Sequence, residues 1–108
     1  MITLEDFTKV EMRVGTIIAA SPNKGARKPA YKLQIDFGSY GIKTSSAQIT
    51  ALYKPDELIG MQVIAVMNFN PIKISEVKSE VRILGLETDS KVVLISPQVK
   101  VLNGTLLT

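Results

Sequence analysis

The stretch Tyr31-Lys32-Leu33-Gln34-Ile35-Asp36-Phe37 alternates apolar and polar side chains without a break. Successive side chains of a strand point to opposite faces, so this pattern commits the segment to a β-strand with one packed and one wet face. Such a strand needs hydrogen-bonded neighbours and a cover for its apolar side. Upstream, Val10, Met12, Val14, Thr16 and Ile18 alternate with Glu11, Arg13, Gly15 and Ile17. Gly15 predicts a bulge or sharp bend there, as in a strand that serves two parts of a curled sheet. Downstream, Gly38-Ser39-Tyr40-Gly41 predicts a short turn and Ile42 to Ser46 a third strand. Gln62 to Asn68 is almost wholly apolar and reads as a central strand buried on both faces. Glu80 to Leu86 is the expected fifth strand. Glu87-Thr88-Asp89-Ser90 is a turn, and Val92 to Ile95 a further short strand. Asn103-Gly104, between Val101-Leu102 and Thr105-Leu106-Leu107, predicts a hairpin on a type I′ turn.

Helix is scarce. Thr3 to Phe7 predicts a helical turn capped by Thr3, with Glu5 and Asp6 near its positive end. Pro55-Asp56-Glu57-Leu58, followed by Gly60, predicts one short helix. Five strands, with one helix between the third and fourth, predict an all-β chain: a five-stranded OB-fold barrel. A chain of 108 residues suits one such domain, residues 1–108.

In that fold the loops after the first and fourth strands flank the binding face. Here they are Ser21 to Pro29 and Asn70 to Lys78. The first holds Lys24, Arg27 and Lys28 with no acid; Pro22, Gly25 and Pro29 keep it out of helix and sheet. The second holds Lys73 and Lys78. The whole chain carries 13 basic and 10 acidic residues, a net +3 that permits an anionic partner without demanding one. The segment Ile72 to Lys78 is expected to be irregular.

Composition narrows the chemistry. There is no cysteine and no histidine, which removes the thiolate nucleophile, the usual neutral-pH base and the commonest metal ligands. Asp36, Asp56 and Glu80 have no paired acid, metal-ligand cluster or phosphate-binding glycine loop beside them. No catalysis, metal or cofactor is expected. The first residues carry acids early and lack a signal-peptide core, and no apolar run approaches the roughly 20 residues that span a bilayer. The expectation is a cytoplasmic protein without membrane insertion. Met1 to Lys9 and Val92 to Thr108 are apolar for chain ends and predict a homodimer interface.

Several segments together resemble one family. They are Asp6 to Ile17, Tyr31 to Gly38, Ser45-Ser46-Ala47-Gln48-Ile49-Thr50, Leu58 to Val63, Asn68-Phe69-Asn70-Pro71 with Lys73, and Ser79-Glu80-Val81-Arg82-Ile83-Leu84-Gly85. In order and spacing, over nearly the whole chain, they look like the tRNA-binding domain family, which includes free-standing tRNA-binding proteins and the C-terminal extension of methionyl-tRNA synthetases. Gly25 to Leu33 and Ser45 to Thr50 look like its CsaA branch, proposed chaperones for protein export. The resemblance implies a homodimeric OB-fold. It leaves two ligand classes open, because Val81 and Arg82 depart from the Ser-Glu-Gly-Met-like motif of the tRNA binders.

The first class is unfolded or precursor polypeptide, held against a partly apolar groove; Phe69, Ile72 and Ile74 are candidate pocket residues, while Met67 reads as ordinary core. The second is tRNA. Lys24, Arg27, Lys28, Lys73, Lys78 and Arg82 would meet phosphates, and Ser45, Ser46 and Asn68 sugar or base edges. Ser79 and Glu80 occupy the remaining positions that match the family motif.

Overall fold

The alternating stretch forms a strand whose inward residues Tyr31, Leu33 and Ile35 are buried and whose Lys32 and Gln34 are exposed. A computed structural model describes all 108 residues. Its strands are β1 (Met12–Pro22), β2 (Tyr31–Asp36), β3 (Ile42–Ala47), β4 (Gln62–Val66), β5 (Ile72–Ile74), β6 (Val77–Ser79), β7 (Arg82–Ile83), β8 (Gly85–Thr88) and β9 (Lys91–Leu94). Its helices are α1 (Leu4–Thr8) and α2 (Pro55–Leu58), with a 3-10 turn at Gly38–Tyr40. The main sheet runs β3-β2-β1-β4-β7.

Strand β1 serves two neighbours. Met12 to Thr16 pair with β4, and Thr16 to Pro22 pair with β2. Gly15 lies at that changeover, but not as the bulge. A Cβ there would come within 2.6 Å of Ile35 Cγ2 and 2.7 Å of the Phe37 ring, so glycine lets β2 cross β1 closely. The bulge itself falls at Ile18, where the register slips between Ile17 and Ala19. The sheet then nearly closes on itself. Glu80 N donates to Thr44 O (2.8 Å), Thr44 N donates to Glu80 Oε1 (3.0 Å), and Ser46 N donates to Ser79 Oγ (3.1 Å). Side-chain oxygens stand in for missing ladder acceptors along this seam.

The core is what the strand pattern requires. Ile17, Leu33, Ile35, Phe37 and Val63 are fully buried, and Leu58 of α2 joins them. Strand β4 is buried on both faces from Val63 to Val66, as its apolar run predicts. Helix α1 carries a capping box: Asp6 N donates to Thr3 Oγ1 (3.1 Å) and Thr3 N to Asp6 Oδ2 (3.0 Å). No helix is long and apolar enough to cross a membrane.

Three expectations change. Glu80 to Leu86 is not one strand: β7 is short, and Gly85 turns the chain into a separate hairpin, β8–β9. A Cβ on Gly85 would lie 2.5 Å from Val92 Cγ1, so the pivot needs glycine. The turn of that hairpin has Asp89 at φ 49° and Ser90 at φ 62°, the two left-handed residues of a type I′ turn. At Asn103-Gly104 only Gly104 is left-handed (φ 93°), and Thr105 N donates to Leu102 O, the type II pattern. Its flanks do not pair with each other. They line up along β1, with Gly104 N to Val14 O (2.7 Å) and Leu107 N to Met12 O (2.9 Å). Ile72 to Lys78 is also more regular than expected: it contains the hairpin β5–β6, turning at Ser75 (φ 56°).

Candidate ligand-binding groove

A groove of about 930 Å³ opens between the β1–β2 loop, the end of β3, the β5–β6 hairpin and the β8–β9 hairpin. Its size lies within the range of ligand clefts. Of the residues singled out from the sequence, Arg27, Lys28, Ser45, Ser46, Phe69, Lys73, Ser79 and Arg82 line it. Lys28, on the β1–β2 loop, and Lys73, on β5, therefore share one surface.

The remaining four do not line it. Lys24 and Lys78 are exposed outside the lining. Asn68 is occupied: its Nδ2 donates to Lys9 O (2.7 Å), and its Oδ1 accepts from Glu11 N (3.0 Å), tying the N-terminal segment to the end of β4. Glu80 holds the barrel seam through Thr44. Among the lining residues, Ser45 is buried and its Oγ donates to Val81 O (3.1 Å), so it too holds the seam.

Asn23 organises the walls, and sequence reasoning did not single it out. Its Nδ2 donates to Ser46 Oγ (3.2 Å) on β3 and to Ile74 O (3.1 Å) on β5. Its backbone closes the loop through Ala30 and Ala26. Gly25 then rests directly on Ser75, close enough that a Cβ would clash with the serine side chain. The signal was present in Pro22-Asn23, since Asn is a common local bonder in turns. Its long-range partners were not readable.

The electrostatics of the groove are one-sided. Arg27, Lys28, Lys73 and Arg82 face a single lining acid, Glu87. The ion pairs of the molecule, Lys9–Asp6 and Arg13–Glu11, lie elsewhere, so these four cations are unpaired. Lys73 also stands directly opposite Lys78 across β5–β6, an unfavourable like-charge pair that a bound anion would relieve. Between the cations lie half-exposed apolar groups: Phe69 is 50% exposed and Ile72 58%, with Ile74 beside them. No group of acids, cysteines or histidines could hold a metal. The groove can bind by charge, apolar contact and hydrogen bonding.

The sequence profile of the tRNA binding domain matches residues 12–106. The chain belongs to the tRNA-binding domain family. Its structure is similar to the chaperone CsaA of Bacillus anthracis strain Ames, at 46% identity and TM-score 0.93, covering 100% of this chain and 99% of that one. It is equally similar to the CsaA chaperone of Picrophilus torridus, at 49% identity and TM-score 0.93, with both chains fully covered. Among curated relatives, the methionine–tRNA ligase of Methanococcoides burtonii is 33% identical over 106 residues, which are 97% of this chain and 15% of the ligase. The chain thus spans about 15% of the length of such relatives. It is a CsaA-type member of the family.

Proposed function

We propose that this chain is a homodimeric cytoplasmic chaperone that holds unfolded or export-bound polypeptides in the groove. One observation carries the reading: exposed Phe69 and Ile72 share the groove with two hairpin walls, in a chain that matches CsaA chaperones over its full length. Short strands bordering a groove offer backbone bonds to an extended peptide, while apolar side chains take alternate client residues. Binding requires no nucleotide. The test is aggregation of a chemically denatured enzyme diluted into buffer: stoichiometric amounts of this protein suppress light scattering without ATP. Unchanged scattering refutes the reading.

The four unpaired cations support a second reading, structure-dependent binding of tRNA. Phosphate contacts release counterions, so affinity for tRNA should fall steeply with salt. Lys28→Glu with Lys73→Glu should nearly abolish that binding and weaken capture of apolar clients less. A salt-independent affinity, or no tRNA bound at low salt, removes the second reading.

The dimer rests on the far ends of the chain. Leu102 is 83% exposed, Leu106 47%, Val10 44% and Tyr40 47%. Leu106 bridges Arg13, whose guanidinium lies 3.7 Å above the Tyr40 ring, so these groups adjoin. Exposed large apolar side chains of this kind support an association surface.

A further inference from the structure

The groove continues past Lys28. Beyond that side chain lies a second depression of about 220 Å³, whose lining includes Gln48, Thr50, Ser90 and Lys91. Lys28, Gln48 and Val92 border both spaces, so the two form one track. The depression has no carboxylate in its lining, and neither lysine is ion-paired. The nearest acids in sequence are Glu87, which lines the main groove, and Asp89, on the turn but outside the lining. The backbone at Lys91 is held in place. It faces Thr88 across the Asp89-Ser90 turn, and the hairpin is fastened by Leu94 N donating to the Tyr53 hydroxyl (2.9 Å). The Tyr31 hydroxyl in turn donates to Tyr53 O (2.7 Å), which links this hairpin to β2.

We propose that Lys28 and Lys91, with the hydroxyls of Thr50 and Ser90, form a phosphate subsite that takes one phosphodiester of an RNA leaving the main groove. This rests on the tRNA reading of the groove. The lining suits an anion: two ammonium point charges, with hydroxyl- and carboxamide-bearing residues beside them, can bond phosphate oxygens, and continuity with the groove through Lys28, Gln48 and Val92 favours a chain of anions over a single one. An RNA strand carries an anion at every residue, so one strand fills both groove and subsite whatever its sequence.

The experiment is a fluorescence titration of unfractionated tRNA at a series of salt concentrations. Removing one phosphate contact lowers the slope of log affinity against log salt by about 0.7–0.9. Lys91→Gln should show that loss and weaken all tRNAs alike, Lys91→Arg should restore the slope, and the exposed Lys100→Gln should match wild type. Circular dichroism establishes that each variant is folded. If wild type binds tRNA and Lys91→Gln keeps its slope, the subsite is wrong and the groove reading stands. If wild type binds no tRNA, both fail. If Lys91→Gln impairs capture of an acidic peptide but not of tRNA, the subsite serves polypeptide and the proposal is overturned.

Discussion

Asn23→Ala should loosen the groove without touching a charge. Asn23 is 8% exposed, and its carboxamide makes two hydrogen bonds, to Ser46 Oγ and Ile74 O. Each bond contributes a net of about 0.5–1.5 kcal/mol, so their joint loss costs roughly 1–3 kcal/mol. In a domain of this size that corresponds to a melting temperature lower by about 4–12 °C. The damage should also be local. With the side chain gone, β5–β6 loses its tie to the β1–β2 loop, and the two walls that carry Lys73 and Lys28 are free to part. Hydrogen exchange should therefore quicken at the amides of Ile72–Ile74 and Val77–Ser79 more than in β1, β2 or β4. Asn23→Asp should be at least as harmful, because a carboxylate has no N–H to give to the Ile74 carbonyl. Thermal melts followed by circular dichroism, with exchange read by mass spectrometry, provide both measurements. A variant that melts within a degree of wild type, with unchanged exchange in the hairpin, would refute the idea that Asn23 joins the two walls.

Other perturbations have equally definite outcomes. Phe37→Ala empties a fully buried site and should cost about 3–5 kcal/mol, read from denaturant melts. Gly15→Ala inserts a methyl against Ile35 and Phe37 and should cost about 1–3 kcal/mol in the same assay; a neutral result would mean that β1 and β2 can separate there. Leu102→Asp with Leu106→Asp should convert a particle of twice the 11.8 kDa chain mass into a single chain, as measured by light scattering, and wild type already at the single-chain mass at micromolar concentration would refute the dimer. The Asp6 carboxyl titrates below the ordinary carboxylate range, first because the Thr3 backbone N–H bonds it. A lowered folded-state value means that its support for α1 is present above the unfolded aspartate range and is lost as the pH falls through the lower folded value. Exchange at the α1 amides should accordingly quicken on acidification, and Asp6→Asn should remove that dependence.

The barrel was legible because its strands are written in local alternation. Tyr31 to Phe37 declares its buried face residue by residue, and Gln62 to Asn68 declares burial on both faces. The helix α2 was equally plain from its proline start. The errors share one cause: a local signal fixes a turn but not what the turn's flanks will pair with. Asn103-Gly104 does turn, yet the flanks satisfy their backbone groups on β1, where the curl of the sheet has left an edge open at Met12 and Val14. Glu80 to Leu86 has strand composition throughout, yet Gly85 permits the close approach to Val92 that sends the chain into a second hairpin. Glycine inside a strand pattern was the available hint, and its meaning depended on a residue not yet placed.

The groove is less legible than the barrel for the same reason carried further. The charges could be found by position, since the two loops beside the binding face hold most of them. Their arrangement could not. Lys28 and Lys73 share a surface because Asn23 reaches 51 positions along the chain to Ile74 and 23 to Ser46, and because Gly25 leaves room for Ser75. Asn68 and Glu80 match a family motif as well as any lining residue does, but their polar atoms are spent on Lys9, Glu11 and Thr44. A motif thus mixes residues that hold the frame with residues that face the ligand, and hydrogen-bond accounting separates them. On that accounting Arg27, Lys28, Lys73 and Arg82 are the cations lining the main groove with unspent charge, the groups an anionic ligand in that groove would meet.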